Sequence, residues 1–410
     1  MKKQTKINEK KKKKLSSLIM LLFITVVMLG VSTYAWFTSN RLVRVNSLDI
    51  SVQASEGFQI SVDGVNWKSV VDTTDILGAA SSYPSNINHV PTAMVPVSTA
   101  ASASNATTGL LDFFLGKITT DSTGQYVIYG DQIVETTTTG SFIAFDLFFR
   151  TNNPIALALE QTAGVIDNAT LVNRQNKGIE NAARVGFVRQ GSLTPEQVGT
   201  AGSPTAAAAL AQAIVYGTNE ADYQAALTTL DTTPDDATAL GVIEGYRNGS
   251  NVIIWEPNSD THTEAAETEM ANMFGLASGD LVGPQVYDGI KAPIAKFNDD
   301  ISEGPLQPVK TYLRFNEETS PGSGVYVDTE YNNEAKNPVH FKEIPQARFV
   351  RTTKLRTISD EPVPKPLGLS LPSGITKYRI YMWLEGQDWD CYDSASGSDI
   401  QWNLALTIAS

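Results

Sequence analysis

The stretch SFIAFDLFFRTNNPIALALE, residues 141–160, carries the strongest core signal of the sequence and decides the predicted fold. Every second residue in its first half is apolar: Ile143, Phe145, Leu147 and Phe149. This period of two indicates a β-strand with one face in a core. Phe142 and Phe148 make the other face partly apolar, which is typical of a central strand of a sandwich. The Asn-Asn-Pro sequence at 152–154 then predicts a turn into a second strand, residues 155–159.

Residues 41–70 show the same alternation before this stretch. One predicted strand places Leu48, Ile50 and Val52 on one face, and a second repeats the pattern with Phe58, Ile60 and Val62. The Asp63-Gly64 pair predicts a two-residue type I′ hairpin turn before Val65 and Trp67. Residues 72–110 are rich in Ala, Ser, Thr and Asn and predict loop with short strands.

The middle of the chain has a different pattern. GIENAARVGFV, residues 178–188, predicts a short helix joined to a strand, and SPTAAAALAQAIVYG, residues 203–217, predicts a helix that opens with a Ser-Pro cap. Further helices are predicted in NEADYQAALTTL, residues 219–230, and over about residues 263–274. We therefore expect an α-helical insertion over residues 190–300 between two β segments.

The pattern returns to β after residue 300. Strands are predicted in VKTYLRF (309–315), ARFVRT (347–352), LGLSL (367–371), KYRIYMWLEG (377–386) and DIQWNLALTI (399–408). The last two place Tyr378, Ile380, Met382 and Leu384 on one face, and Ile400, Trp402, Leu404 and Leu406 on another. The sequence thus predicts a mainly β protein, an antiparallel β-sandwich split into residues 36–189 and 301–410, whose first and last segments pair within or next to one sheet.

The amino-terminal segment has the features of an export signal. Eight lysines precede Leu15, and an uncharged run, apolar mainly over residues 18–31, follows up to Asn40. Thr33 and Ala35 satisfy the small-x-small rule, so residues 1–35 are predicted to be a signal peptide cut between Ala35 and Trp36. The alternative is an uncleaved membrane anchor, because roughly 20 apolar residues can span a bilayer. Either way the remainder is expected outside the cell membrane.

Composition excludes several classes of function. Removing residues 1–35 leaves 23 basic and 43 acidic residues and changes the net charge from −13 to −20, so no nucleic-acid partner is expected. Cys391 is the sole cysteine, which excludes an internal disulfide and a thiolate metal cluster. The sequence contains no H-E-x-x-H, G-x-S-x-G, P-loop or G-x-G-x-x-G motif, so no catalytic residue is assigned.

Several segments resemble known exported proteins of Gram-positive bacteria. TYAWFTSN, residues 33–40, is similar to signals cut by the alternate, endoplasmic-reticulum-like signal peptidase, and NSLDISV, residues 46–52, resembles the first mature strand of the TasA and camelysin family. The segments FIAFDLFF, NAARVGFV, IIWEPNSDTHT and RIYMWLEGQDWDC look like recurring blocks of exported proteins described as alternate signal-mediated.

This resemblance implies a jelly-roll-like β-sandwich with an extracellular structural role. It implies a protein that is secreted to the extracellular matrix or cell surface, such as a biofilm matrix. Its partners would be the alternate signal peptidase during export and then copies of itself or related matrix subunits. Members of the TasA type form fibres by donating an amino-terminal strand to a neighbouring subunit. Camelysin is described as a protease, but the sequence has no metal-ligand motif to which that activity can be transferred.

The residues independently indicate a strand that needs a partner. Cleavage after Ala35 would free a segment with two aromatic and several branched apolar side chains: Trp36, Phe37, Leu42, Val43 and Val45. Such a segment either closes the sheet of its own subunit or adds to an exposed sheet edge of another copy as a donor strand.

An acidic turn near the carboxyl terminus has two interpretations. Glu385, Asp388, Asp390 and Asp393 supply the carboxylate oxygens that Ca²⁺ prefers, although their spacing is not that of an EF-hand. The alternative is a solvated acidic turn without a ligand. Cys391 beside it is either a small buried residue or the source of an intermolecular disulfide.

Two other classes of function compete with a structural role. A glycan-binding or adhesion sandwich, membrane-tethered or secreted, would need exposed stacking platforms, for which Trp67, Trp389 and Trp402 are the candidates. A secreted hydrolase would need a cleft of convergent carboxylates, and the Trp255, Glu256 and His262 group is too common a combination to predict one.

Overall fold

The computed structural model describes fifteen stretches of the chain. They are residues 42–52, 57–104, 108–120, 126–160, 162–167, 179–219, 221, 252–255, 266, 268, 310–314, 341–343, 365–386, 390–391 and 399–408. Three short α-helices lie in them: α1 (Thr73–Gly78), α2 (Pro195–Gly199) and α3 (Pro204–Gln212). The strands are β1 (Val43–Val52), β2 (Gln59–Ser61), β3 (Val70–Asp72), β4 (Ala93–Met94), β5 (Ser98–Ser104), β6 (Leu111–Thr120), β7 (Tyr126–Gln132), β8 (Ile143–Thr151), β9 (Ile155–Leu159), β10 (Gly164–Asp167), β11 (Ala183–Leu193), β12 (Val252–Trp255), β13 (Lys310–Arg314), β14 (Phe341–Glu343), β15 (Lys365–Leu371), β16 (Gly374–Leu384) and β17 (Asp399–Ile408). The described part of the protein is therefore mainly β, as predicted.

The strands form three sheets. The first sheet has the order β15-β9-β17-β1-β3, with β10 paired to β17 and β4 paired to β1. The second sheet has the order β12-β11-β16-β8-β2, and the third has the order β14-β13-β7-β6-β5. The Asn-Asn-Pro turn at 152–154 carries the chain from β8 in the second sheet to β9 in the first.

The first and last strands pair directly, as the sequence predicted. β1 and β17 are neighbours over most of their length, and Ile50 lies opposite Leu404. They run parallel, so the first sheet is mixed and the expectation of a wholly antiparallel sandwich is wrong at this position. Alternating residues cannot reveal strand direction, because both directions put every second side chain on the same face.

One hydrophobic core joins the first and second sheets. It is made by the residues that the alternating patterns placed on one face. Among them are Leu48, Ile50, Leu404 and Leu406 from the first sheet, and Phe145, Leu147, Ile380 and Met382 from the second. Each contributes about 1.5–3 kcal/mol to folding by leaving water, which makes this core the main stabilising element of the fold.

The opposite face of the second sheet is also covered. Leu111 and Phe113 of β6 pack there against Phe142, Tyr381 and other residues of the second sheet. Farther along the same sheet, α3 brings Ala211, followed by Ile214, against Phe148 and Ile375. β11 and β16 are consequently buried along their whole length.

Two local predictions are wrong. Backbone hydrogen bonds join Ile60 and Lys68 in both directions, with N–O distances of 2.9 Å, so the connection between them is longer than a two-residue turn. Gly64 has a φ of +71° and Asp63 does not have a positive φ, whereas a type I′ turn needs positive φ at both positions. The Asp63 carboxylate instead accepts the N–H groups of Val65 and Asn66 and stabilises a wider loop.

The second error concerns residues 72–110, where a helix interrupts the predicted loop and short strands. α1 begins at a capping box, in which the Asp72 side chain accepts the N–H of Asp75 at 3.0 Å and the Asp75 side chain accepts the N–H of Asp72. By contrast α3 is confirmed: Ser203 caps it and Pro204 is its first residue. The helices predicted at about 219–230 and 263–274 lie almost entirely outside the described residues.

Candidate functional site

A group of buried and partly buried charged and polar side chains lies on the outer face of the second sheet, between the two clusters that cover it. We call this group the charge cluster. Its members are Tyr83, Asn88, Glu135, Asp146, Lys377, Arg379 and Tyr381. Five of its ionisable side chains are buried and Glu135 is partly buried, and hydrogen bonds connect them, so the cluster is the candidate site.

The strand register brings these side chains together. Lys377, Arg379 and Tyr381 occupy alternate positions in β16 and therefore share one face, opposite to the core face. In β8, Asp146 is the direct cross-strand partner of Arg379. Tyr83, Asn88 and Glu135 reach the site from segments that cover the sheet.

Three donors surround the Asp146 carboxylate. Oδ1 lies 3.0 Å from the Arg379 NH1 group, and Oδ2 lies 3.1 Å from the Lys377 ammonium. The Tyr83 hydroxyl donates to Oδ2 at 2.8 Å and accepts from the Lys377 ammonium at 2.9 Å. Tyr83 is thus hydrogen-bonded to both members of the lysine–aspartate pair.

The Arg379 guanidinium connects Asp146 to a second carboxylate. Its NH2 group donates to Glu135 Oε1 at 2.5 Å and to the Ile87 carbonyl at 3.0 Å. Glu135 also accepts the Tyr381 hydroxyl at 2.9 Å. Two cationic and two anionic side chains therefore balance one another in the cluster.

The cluster shifts the pKa values of Asp146 and Tyr83 in opposite directions. Burial would raise the pKa of the Asp146 carboxyl, but the charges of Arg379 and Lys377 outweigh it and hold that pKa below its ordinary value. Burial and the Asp146 charge raise the pKa of the Tyr83 hydroxyl. At neutral pH Asp146 is therefore a carboxylate, and Tyr83 keeps its proton and can donate it.

A small open cleft lies at a different place, between the loop at 62–68 and α1. Its volume is about 230 Å³, and Asn66, Lys68 and Asp75 are among its lining residues. The Asp63 carboxylate in its wall already accepts hydrogen bonds from Ser61, Ser82 and nearby groups of its own loop. Because those donors hold Asp63 in the loop structure, the cleft offers a weaker basis for chemistry than the charge cluster.

The structure describes two of the five predicted donor-strand residues in β1 and one just before it. Val43 is fully buried and pairs with Met94 of β4, and Val45 pairs with Ile400 of β17. Leu42 precedes the strand and is half exposed. Trp36, Phe37 and the predicted cleavage site between Ala35 and Trp36 lie outside the described residues.

The acidic turn is described only in part. Glu385 is fully buried and accepts the Trp383 indole N–H at 3.2 Å. Asp390 and Cys391 are also fully buried, whereas Asp388 and Asp393 lie outside the described residues. No group of three or more His, Cys, Asp or Glu side chains suited to a metal ion occurs within the described ranges.

Two of the three tryptophans proposed as sugar-stacking platforms are described by the structure, and neither is fully exposed. Trp402 is buried in the core, so it was wrongly assigned as an exposed platform. Trp67 is half buried, and the Arg150 guanidinium lies 4.4 Å from its ring centre. Trp255 is also buried, while Trp389, Glu256 and His262 lie outside the described residues.

The chain matches no protein-family model, no curated protein and no solved structure. In the portion of the chain that the structure describes, no helix is both long and apolar enough to cross a membrane, and the predicted signal or anchor at 1–35 lies outside that portion.

Proposed function

We propose that this chain is an exported structural subunit of the cell surface or extracellular matrix. It would be a jelly-roll-like sandwich that assembles into fibres when the first strand of one copy completes the first sheet of the next. The observation that carries the proposal is the position of β1, an interior strand that is also the first strand the structure describes. The predicted signal and the resemblance of its cleavage segment support export.

β1 has hydrogen-bonding partners on both sides. β17 pairs with it along one side, from Arg44 to Val52. On the other side β4 pairs with its beginning at Val43 and Arg44, and β3 pairs with Asp49 to Ser51. If β1 left the sheet, the exposed edge of β17 would therefore be a template for another strand.

The apolar side chains of β1 make it unfavourable to leave the position of this strand in the first sheet empty. Val43, Leu48, Ile50 and Val52 are buried in the core, and exposing each would destabilise the subunit by about 1.5–3 kcal/mol. An identical strand from a neighbouring copy would restore the same contacts. Exchange between copies therefore changes little in contact energy, and assembly depends on protein concentration and on the length of the chain before β1.

Deleting residues 36–46 from the full chain, with residues 1–35 retained, tests the proposal. The deletion removes the predicted donor segment and the first residues of β1, so we expect the secreted protein to lose its filaments in electron microscopy. A matched control replaces Val134, an exposed apolar residue outside the donor segment, with Ala, and this variant is expected to form filaments as the unchanged protein does. Unchanged filaments after the deletion, or no filaments from the unchanged secreted protein, would contradict assembly through β1.

Cleavage of the predicted signal peptide is tested by a separate measurement. Amino-terminal sequencing of the secreted protein is expected to begin at Trp36, because Ala35 satisfies the cleavage rule. Material that begins at Met1 and remains with the membrane fraction would instead identify a tethered surface domain.

A further inference from the structure

The lysine–aspartate pair of the charge cluster has the arrangement needed for an intramolecular condensation. We propose that Lys377 and Asp146 form an amide cross-link between β16 and β8, with loss of one water molecule. The proposal rests on four groups in contact: an amine, a carboxyl, a proton relay and a cationic hydrogen-bond donor. It is independent of export and of assembly through β1.

The amine and the carboxyl are held in contact. Lys377 Nζ lies 3.1 Å from Asp146 Oδ2, an oxygen bonded to the carbon that the amine would attack. Both side chains are about nine-tenths buried, on adjacent strands of one sheet. Holding two reacting groups this way corresponds to effective concentrations of about 10⁵ M or more in well-oriented intramolecular reactions.

Tyr83 provides a path for the protons. Its hydroxyl accepts from the Lys377 ammonium at 2.9 Å and donates to Asp146 Oδ2 at 2.8 Å. One proton can therefore pass from Nζ to the phenol oxygen while the phenol proton passes to Oδ2. The result is a neutral amine beside a neutral carboxylic acid, with no change in the total charge of the site.

Arg379 provides the stabilisation that the addition step needs. When Nζ bonds to the Asp146 carbon, negative charge develops on Oδ1, and the Arg379 NH1 group donates to Oδ1 at 3.0 Å. A fixed cationic donor at a developing oxyanion lowers the barrier of acyl transfer. Glu135 neutralises the same guanidinium from its other side, which limits how strongly Arg379 favours the starting carboxylate.

The atoms and charges balance without another reactant. The bond between Nζ and the Asp146 carbon forms, and the bond between that carbon and Oδ2 breaks. Two of the three ammonium protons end on Oδ2, which leaves as water, and the third remains as the amide N–H. That N–H can donate to the Ile214 carbonyl, which lies 3.2 Å from Nζ.

The amide cross-link would give the chain a covalent constraint that a disulfide cannot supply. Cys391 is the sole cysteine, so no disulfide can close a loop within one chain. An amide between residues 146 and 377 would enclose the intervening chain and reduce the conformational entropy of the unfolded state, as a disulfide does.

Mass spectrometry of the purified, folded protein tests the proposal, whether or not the protein is secreted. Its intact mass is expected to be lower by one water than the mass calculated from its observed termini. After tryptic digestion, residues 118–150 and 357–379 are expected in one branched peptide, uncut at Lys377, with the branch between Asp146 and Lys377. Folded protein with the full calculated mass and two separate peptides would overturn the cross-link.

Variants test the individual roles. Lys377→Arg retains the positive charge but lacks the amine, so it is expected to have the full mass. Tyr83→Phe removes the relay and is expected to form the link much more slowly, and complete linkage in this variant would refute the role of Tyr83. The Lys68–Asp75 pair is an internal control, because its amine and carboxylate are in contact, with Nζ 2.6 Å from Oδ1, but are open to water. We expect no branched peptide from this pair.

Discussion

Arg379 and Asp146 face each other across adjacent antiparallel strands, with Arg379 NH1 3.0 Å from Asp146 Oδ1. The same guanidinium contacts Glu135 with its other terminal nitrogen, so one cation joins an acid of β8 to an acid from a covering segment. Such a buried group is stabilising only while its partners remain, since an isolated buried charge is strongly unfavourable. The charge cluster therefore makes the attachment of the covering segments to the second sheet sensitive to single substitutions.

In the Lys377→Arg variant, where Asp146 stays a carboxylate, replacing Arg379 with Met is expected to lower the free energy of unfolding by about 3–5 kcal/mol, because that buried carboxylate loses the cation bound to its Oδ1. Urea unfolding of the folded protein measures this loss. Lys68→Met is the control, since Lys68 is in an ion pair open to water and its loss is expected to leave the unfolding midpoint unchanged. Equal effects of the two substitutions would contradict the importance of the cluster.

Acid is expected to weaken the cluster in a chain whose Asp146 carboxylate has not been consumed by the cross-link. The pKa of Asp146 is lowered in the folded protein from its ordinary value of 3.8, because Arg379 and Lys377 outweigh the effect of burial. The carboxylate therefore stabilises the fold fully above that ordinary value, and the contribution is lost as the pH falls through the folded-state pKa.

The measurement uses the Lys377→Arg variant, in which no cross-link can consume the carboxylate. Its unfolding free energy is compared with that of the double variant Lys377→Arg, Asp146→Asn over a pH series. We expect a difference between them at neutral pH that diminishes as the solution is acidified below about pH 4. A difference that is independent of pH would show that the Asp146 charge does not stabilise the fold.

Ile50→Ala is expected to destabilise the protein by about 2–5 kcal/mol, because it leaves a cavity in the core beneath the β1–β17 pair. Leu42→Ala, at a half-exposed residue just before the same strand, is expected to change stability by no more than about 0.5 kcal/mol. Denaturant midpoints of the two variants give the comparison. A large effect at Leu42 and none at Ile50 would contradict the assignment of Ile50 to the buried face of β1.

Gly374→Ala is expected to destabilise the protein by more than about 1 kcal/mol. Gly374 has a φ of +111°, and a methyl group there would collide with the Leu193 carbonyl of the neighbouring strand. Gly199→Ala is the matched control, because nothing lies within 4 Å of a side chain added at that position. Thermal unfolding of both variants checks the difference, and a Gly374 variant as stable as the control would contradict the positive-φ assignment.

The strands of the core could be predicted because their residues alternate so regularly. The faces assigned in β1, β8, β16 and β17 agree with the observed core, including Ile50, Phe145, Ile380 and Leu404. The parallel direction of β1 and β17 and the division into three sheets could not be predicted, because both depend on contacts between distant parts of the chain.

The charge cluster was missed for a related reason. The alternating pattern of β16 placed Lys377 and Arg379 on the face away from the core, where charged residues usually meet water. The second sheet is covered on both faces, so they are buried instead. One signal was present in the sequence: Asp146 is a lone acid in the otherwise apolar run FIAFDLFF, and a buried acid needs cationic or donor partners.

The parallel pairing of β1 and β17 makes the two ends of the first sheet different. Both strands start at the same end of the sheet, where Arg44 lies beside Asp399, so β1 begins at one end and β17 finishes at the other. A strand of ten residues spans about 33 Å, so the start of β1 and the end of β17 are separated by roughly that distance. A reporter attached after β17 would consequently lie about one strand length away from the start of β1.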